Sequence, residues 1–181
     1  MKTQENAIAT TRSERAPKWG GFRLGFAAMM LSLLALLAGH AQAEPNTANQ
    51  YLQVAKNNFY VMKLNFQIGS QYAVARNANA ARQYFTSANV NSVVMQNYVT
   101  SLYLQNIDTL NRGLYRNASY QQQAVLYSDV LRAQIQVLSA KLSVLSQSPL
   151  SANARINAEV SIVQINATLT NLEQAMILAQ R

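Results

Sequence analysis

The stretch ANQYLQVAKNNFYVMKLNFQIGSQYA, residues 48–73, decides the fold class. Ala48, Leu52, Ala55, Phe59, Met62, Phe66, Gly69 and Ala73 follow one another in alternating steps of four and three. That period keeps all eight on one stripe of an α-helix and on no single face of a strand. Within it, Met62–Ile68 alternates apolar and polar residues as a half-buried strand does, but the stripe runs on past both ends. The spacing therefore predicts a helix over 47–76, opened by a capping box of Thr47 and Gln50.

Outward from this segment the same period recurs three times. Ala81, Phe85, Ala88, Ser92, Met95, Val99 and Leu102 mark a helix over about 79–115. Its stripe then moves to Leu104, Ile107, Asn111 and Leu114, a shift that rotates the buried face and leaves Asn106 and Thr109 in solvent. Gly113 with Arg116 and Asn117 marks its end. Ser119 and Gln122 have capping-box spacing for a third helix, 118–147, whose seam is Ala124, Tyr127, Leu131, Ile135, Leu138, Leu142 and Leu145. Pro149 stops it, lacking an amide hydrogen and crowding the preceding turn. Ala158, Ile162, Ile165, Leu169, Leu172, Met176 and Ala179 make a fourth stripe over 150–180.

Four amphipathic segments of this length extend about 45 Å each as helices, with connections too short for parallel neighbours. The expected fold is all-α: an elongated up-down-up-down four-helix bundle, or paired long helical hairpins, over residues 44–181. No residue-level repeat relates the two hairpins.

Residues 1–43 read as a cleaved signal peptide. Lys2, Arg12, Arg15, Lys18 and Arg23 form a basic opening against Glu5 and Glu14, an uncharged run extends from Leu24 to Leu37, and Ala41-Gln42-Ala43 supplies small residues for cleavage after Ala43. The competing reading, a permanent anchor, needs about 20 apolar residues to cross a hydrocarbon core, and the run is shorter. The expected protein is thus periplasmic or extracellular, with no stable membrane span after cleavage.

The leader takes with it Trp19 and His40, each the sole residue of its kind, and the chain has no cysteine. Without imidazole or thiol, residues 44–181 lack the usual ligands of zinc, copper and haem and the bases of Ser-His-Asp and Cys-His catalysis, so no cofactor and no metal is expected. The formal charge of +8 divides into +3 before residue 44 (five basic, two acidic) and +5 after it (ten basic, five acidic). Such a charge serves solubility, or contact with anionic polymers outside the cytoplasm, and nucleic acid is not an expected partner.

Carboxylates are the remaining catalytic candidates. Asp108 and Asp129 fall near each other in a helical hairpin, but Arg112 and Arg132 stand four and three residues away, spacing that suits exposed ion pairs. Tyr51, Tyr72, Tyr84 and Tyr98 each adjoin a stripe position. They are the candidate interaction surface, rings on the seam and hydroxyls toward water or a partner, with rim packing as the plainer role. Asn117-Ala-Ser119 and Asn166-Ala-Thr168 match the glycosylation pattern weakly in a chain rich in asparagine. The expected function is a noncatalytic scaffold, adaptor or secretion-machine accessory with an envelope or extracellular protein partner and possible self-association; the alternative is a periplasmic holdase-like chaperone.

Overall fold

The computed structural model describes residues 45–181. The expected signal peptide, with its expected cleavage site at Ala41 and Ala43, lies outside the described residues. Four helices follow in order: α1 (Pro45–Val74), α2 (Ala78–Asn111), α3 (Ala118–Gln147) and α4 (Ala152–Gln180), and no strand occurs among the described residues. The protein is all-helical, and the 62–68 alternation is absorbed into α1.

Helices α1 and α4 bury the whole stripe that their period marks, and α3 buries its own except at Tyr127, which is half-buried against the core while Ser128 beside it is fully buried. The α1 residues Ala48, Leu52, Ala55, Phe59, Met62, Phe66, Gly69 and Ala73 are all buried, as are the seven named positions of α4. In α4 the buried arc is wider, because Ser161, Thr168 and Ala175, seven apart, form a second row beside the first. Helices adjacent in the chain pack extensively on one another, and α1 meets α4 along a narrower contact. As residue numbers rise along one helix, those of its partners fall: Tyr51 faces Tyr98 and Phe66 faces Phe85 across α1–α2, with ring centroids 6.5 and 5.9 Å apart. Ser139 donates to Asn89 across α2–α3 at 2.8 Å, and Lys141 donates to Ser161 across α3–α4 at 2.7 Å.

The helix ends differ from the capping-box reading. Helix α1 already starts at Pro45, whose missing N–H is harmless in a first turn, so Thr47 sits inside the helix. Asn117, not Ser119, caps α3, accepting from the Tyr120 amide; Asn77 and Ser151 do the same for α2 and α4. Each cap satisfies an amide that the helix geometry leaves without a partner.

Helices α1 and α2 both end in the same hydrogen-bond pattern. The Asn77 amide donates to the Tyr72 carbonyl and Arg76 to Ala73; the Leu114 amide donates to Thr109 and Gly113 to Leu110. This is the Schellman closure, which places one residue in the left-handed region. That residue is Gly113 at φ 64° after α2 and Arg76 at φ 57° after α1. A side chain there is strained and glycine is not, so Arg76→Gly is expected to raise stability by about 1 kcal/mol. Gly113→Ala is expected to lower it by a similar amount; a Cβ on Gly113 has open space, so the loss is conformational. Chemical denaturation of the two variants checks both signs.

The predicted shift of the α2 stripe does not occur. Leu104 is 59% exposed and Leu114 41%, whereas Asn106 and Thr109 are fully buried and continue the phase of Met95, Val99 and Leu102. The polar residues stay inside because α3 meets them with polar partners of its own. Asn106 Nδ2 donates to Ser128 Oγ at 2.9 Å, and Gln121 Nε2 donates to the Asn106 carbonyl and to Thr109 Oγ1, each at 2.9 Å. Hydrogen bonding offsets the desolvation that would otherwise expel these groups. The helix keeps one buried phase along its whole length, shared between α1 and α3.

Candidate interaction surface

The candidate carboxylates Asp108 and Asp129 are engaged in ion pairs. Asp108 lies 3.6 Å from Arg112 and Asp129 2.7 Å from Arg132, each pair on its own helix and about half exposed. Arg132 also sits over the Tyr103 ring, 4.6 Å from its centroid, which further fixes its position. A Ser–Lys pair does occur, since Lys141 Nζ reaches Ser161 Oγ at 2.7 Å and the Asn157 carbonyl at 3.0 Å. Ser161 is only 3% exposed within the α3–α4 seam, which leaves a substrate no approach to its hydroxyl. No cluster of metal-ligating side chains occurs among the described residues.

The four candidate tyrosines form two pairs across α1–α2. Tyr51 and Tyr98 are half-buried against the core. Tyr72 and Tyr84 stack with centroids 5.5 Å apart and planes 11° from parallel. Each ring is thus a partner of another, a packing arrangement that leaves Tyr72 the most open of the four. Tyr115, which follows α2, is buried. Burial raises its phenol above the ordinary value, partly opposed by the nearby Gln180 and Thr109 side chains, and its hydroxyl reaches hydrogen-bond geometry with neither.

The narrow contact between α1 and α4 leaves cavities beside it. Residues at seven-residue spacing line it: Asn49, Lys56, Lys63 and Ser70 on α1, and Gln180, Glu173, Asn166 and Glu159 on α4. The first two rungs of this ladder are closed. Gln180 donates to Asn49 at 3.4 Å, and Lys56 pairs with Glu173 at 2.7 Å. The Lys56–Glu173 pair is one-third exposed on both sides and contributes at most about 1 kcal/mol.

The next two rungs are open. Lys63 stands level with Asn166 and Ser70 with Glu159, so the remaining cation and anion are one heptad out of register, about 10 Å along the helix. Neither Lys63 nor Glu159 pairs with an opposite charge among the described residues, and the buried Ser70 hydroxyl has no hydrogen-bond partner. A cavity of about 310 Å³ opens here, with Phe66 and Ile162 as floor and Lys63, Glu159, Val163 and Asn166 around it. A second, of about 350 Å³, continues past Lys63 and Asn166 to Tyr60, Lys56 and Glu173. Exposed apolar side chains flank this groove, among them Tyr60 at 69%, Val163 at 64%, Ile156 and Val160.

The heptad spacing of Lys56 and Lys63, and of Glu159, Asn166 and Glu173, is visible in the sequence beside the apolar stripes. Which rows face each other is what the sequence alone left open. No described helix is long and apolar enough to cross a membrane. The chain matches no protein-family model, no curated protein and no solved structure.

Proposed function

We propose that this chain is an exported, noncatalytic scaffold or adaptor, an up-down-up-down bundle that acts through protein contacts on the open half of the α1–α4 groove. The observation that carries this reading is the interrupted ladder. A packed helix pair closes its flanking positions with complementary side chains, and here the closure stops at Lys63 while apolar residues remain exposed beside it. Exposed apolar groups flanked by unpaired charge are the ordinary composition of a docking site. The engagement of Asp108, Asp129 and Ser161, with the lack of imidazole and thiol after residue 43, supports a role without chemistry. Cleavage after Ala43 leaves α1 whole, since its first residue is Pro45.

In-cell photocrosslinking tests the reading. A crosslinker at Val163 is expected to capture one or two defined proteins, and the same group at Leu126, equally exposed on α3, is expected to capture none. A broad smear of unrelated clients from both positions would favour a holdase-like chaperone; no adduct at Val163 under any growth condition removes the proposal. The isolated protein is expected to begin at Glu44, which intact-mass measurement reads directly.

A further inference from the structure

We infer that the occupant of the open half-groove is a second copy of this chain, docked by the same face. This rests on the groove being the interaction surface and names what fills it. The face carries one unpaired cation, Lys63, and one unpaired anion, Glu159, on the rim of a single cavity. Their charges are complementary, yet within one chain they stand a heptad apart on different helices.

A two-fold contact resolves this mismatch. In an isologous interface residue i meets j while j meets i, so Lys63 of each protomer meets Glu159 of the other, and one interface forms two ion pairs that engage every unpaired charge of the rim. The two-fold axis then passes through the cavity that Lys63 and Glu159 share. Val163, on the rim of that cavity, falls near the axis and faces its own counterpart. The exposed Tyr60, Val160 and Ile156 side chains flank the same face and add apolar area to the contact. An unrelated partner needs to supply an acid and a base at matching separation; the chain itself already has both.

Sedimentation velocity on the protein in the form that cells accumulate tests the assignment. Dimer is expected below about 100 µM. Because every substitution acts at two symmetric contacts, Lys63→Glu and Glu159→Lys are each expected to weaken dimerisation at least about tenfold, and the double charge swap to restore it to within about threefold. Both residues are exposed, so unchanged circular dichroism is expected and separates weakened association from misfolding. In this cysteine-free chain Val163→Cys is expected to give a disulfide-linked dimer on oxidation, and Leu126→Cys is not.

A monomer throughout that range, a double swap no better than the single reversals, or no linked dimer from Val163→Cys overturns the assignment. A monomer whose Val163 still crosslinks a different protein in cells removes the second copy and keeps the adaptor reading. A dimer with no cellular partner does the reverse.

Discussion

Gly69→Val is expected to destabilise the protein by about 3 kcal/mol or more, the largest single-residue effect in the α1–α2 seam. A Cβ at Gly69 comes within 2.9 Å of both Cδ1 and Cε1 of Phe85 and 3.2 Å of the Tyr84 Cβ. The Phe85 ring is fully buried and packs on Phe66, and the Tyr84 Cβ is fixed to the α2 backbone, so neither neighbour has room to withdraw. Alanine at Gly69 sets two effects against each other. Helix propensity favours it by about 1 kcal/mol, while overpacking of this size costs about 1–3 kcal/mol, so a net loss is expected. Phe85→Leu trims the ring that obstructs. In that background Gly69→Ala is expected to be neutral or favourable, and denaturant titration of the four proteins measures the coupling. A Gly69→Val protein as stable as the parent would show that α1 and α2 separate freely here.

The buried polar layer is expected to respond to the order in which it is dismantled. Ser128→Ala removes the acceptor of the Asn106 amide and leaves that N–H buried and unpaired, a loss of about 1–3 kcal/mol. Adding Asn106→Leu and Gln121→Leu is expected to reverse the loss and to leave the triple variant about 1–2 kcal/mol more stable than the parent. The triple variant orphans nothing. Thr109 still donates to the carbonyls of Gln105 and Asn106, and the Gln121 Oε1 atom, buried without a partner in the parent, is gone. Urea denaturation reads the stabilities. The accompanying change is expected in specificity: without directional bonds, α2 and α3 have less to hold one register, and broadened amide resonances from this end of the helices would report it. Ser128→Ala matching the parent would show that the layer contributes nothing to stability.

Much of the fold was legible because burial in a long helix is periodic. The α1, α3 and α4 stripes required only that apolar side chains recur near every 3.6 residues, and no knowledge of neighbours entered. The buried face of the second half of α2 was not legible in this way. Asn106 and Thr109 read as solvent residues by type, and Leu104 and Leu114 as core, because residue type records the cost of desolvation and not the hydrogen bonds that offset it. Gln121 and Ser128, which supply those bonds, lie 15 and 22 residues further along. The helix starts differ from the capping-box spacing by one or two residues. Thr47 and Ser119 have suitable spacing, but the helices begin at Pro45 and after Asn117, where the backbone turns.

The candidate surface was legible in composition and not in place. Tyr51, Tyr72, Tyr84 and Tyr98 adjoin the apolar stripes in sequence, and the fold pairs them with one another. Nothing in the sequence joins Lys63 to Glu159, since each stands in a heptad row of its own helix and 96 residues separate them.

By itself the sequence determined that the described chain forms four long helices and which stripe of α1, α3 and α4 turns inward, because both follow from a local period and the cost of exposing apolar area. Only the tertiary structure decided that polar residues fill the core between α2 and α3, and that the α1–α4 ladder closes at Lys56 and stays open at Lys63. Both depend on the register between helices, which is set by packing summed over distant residues and is written in no single segment.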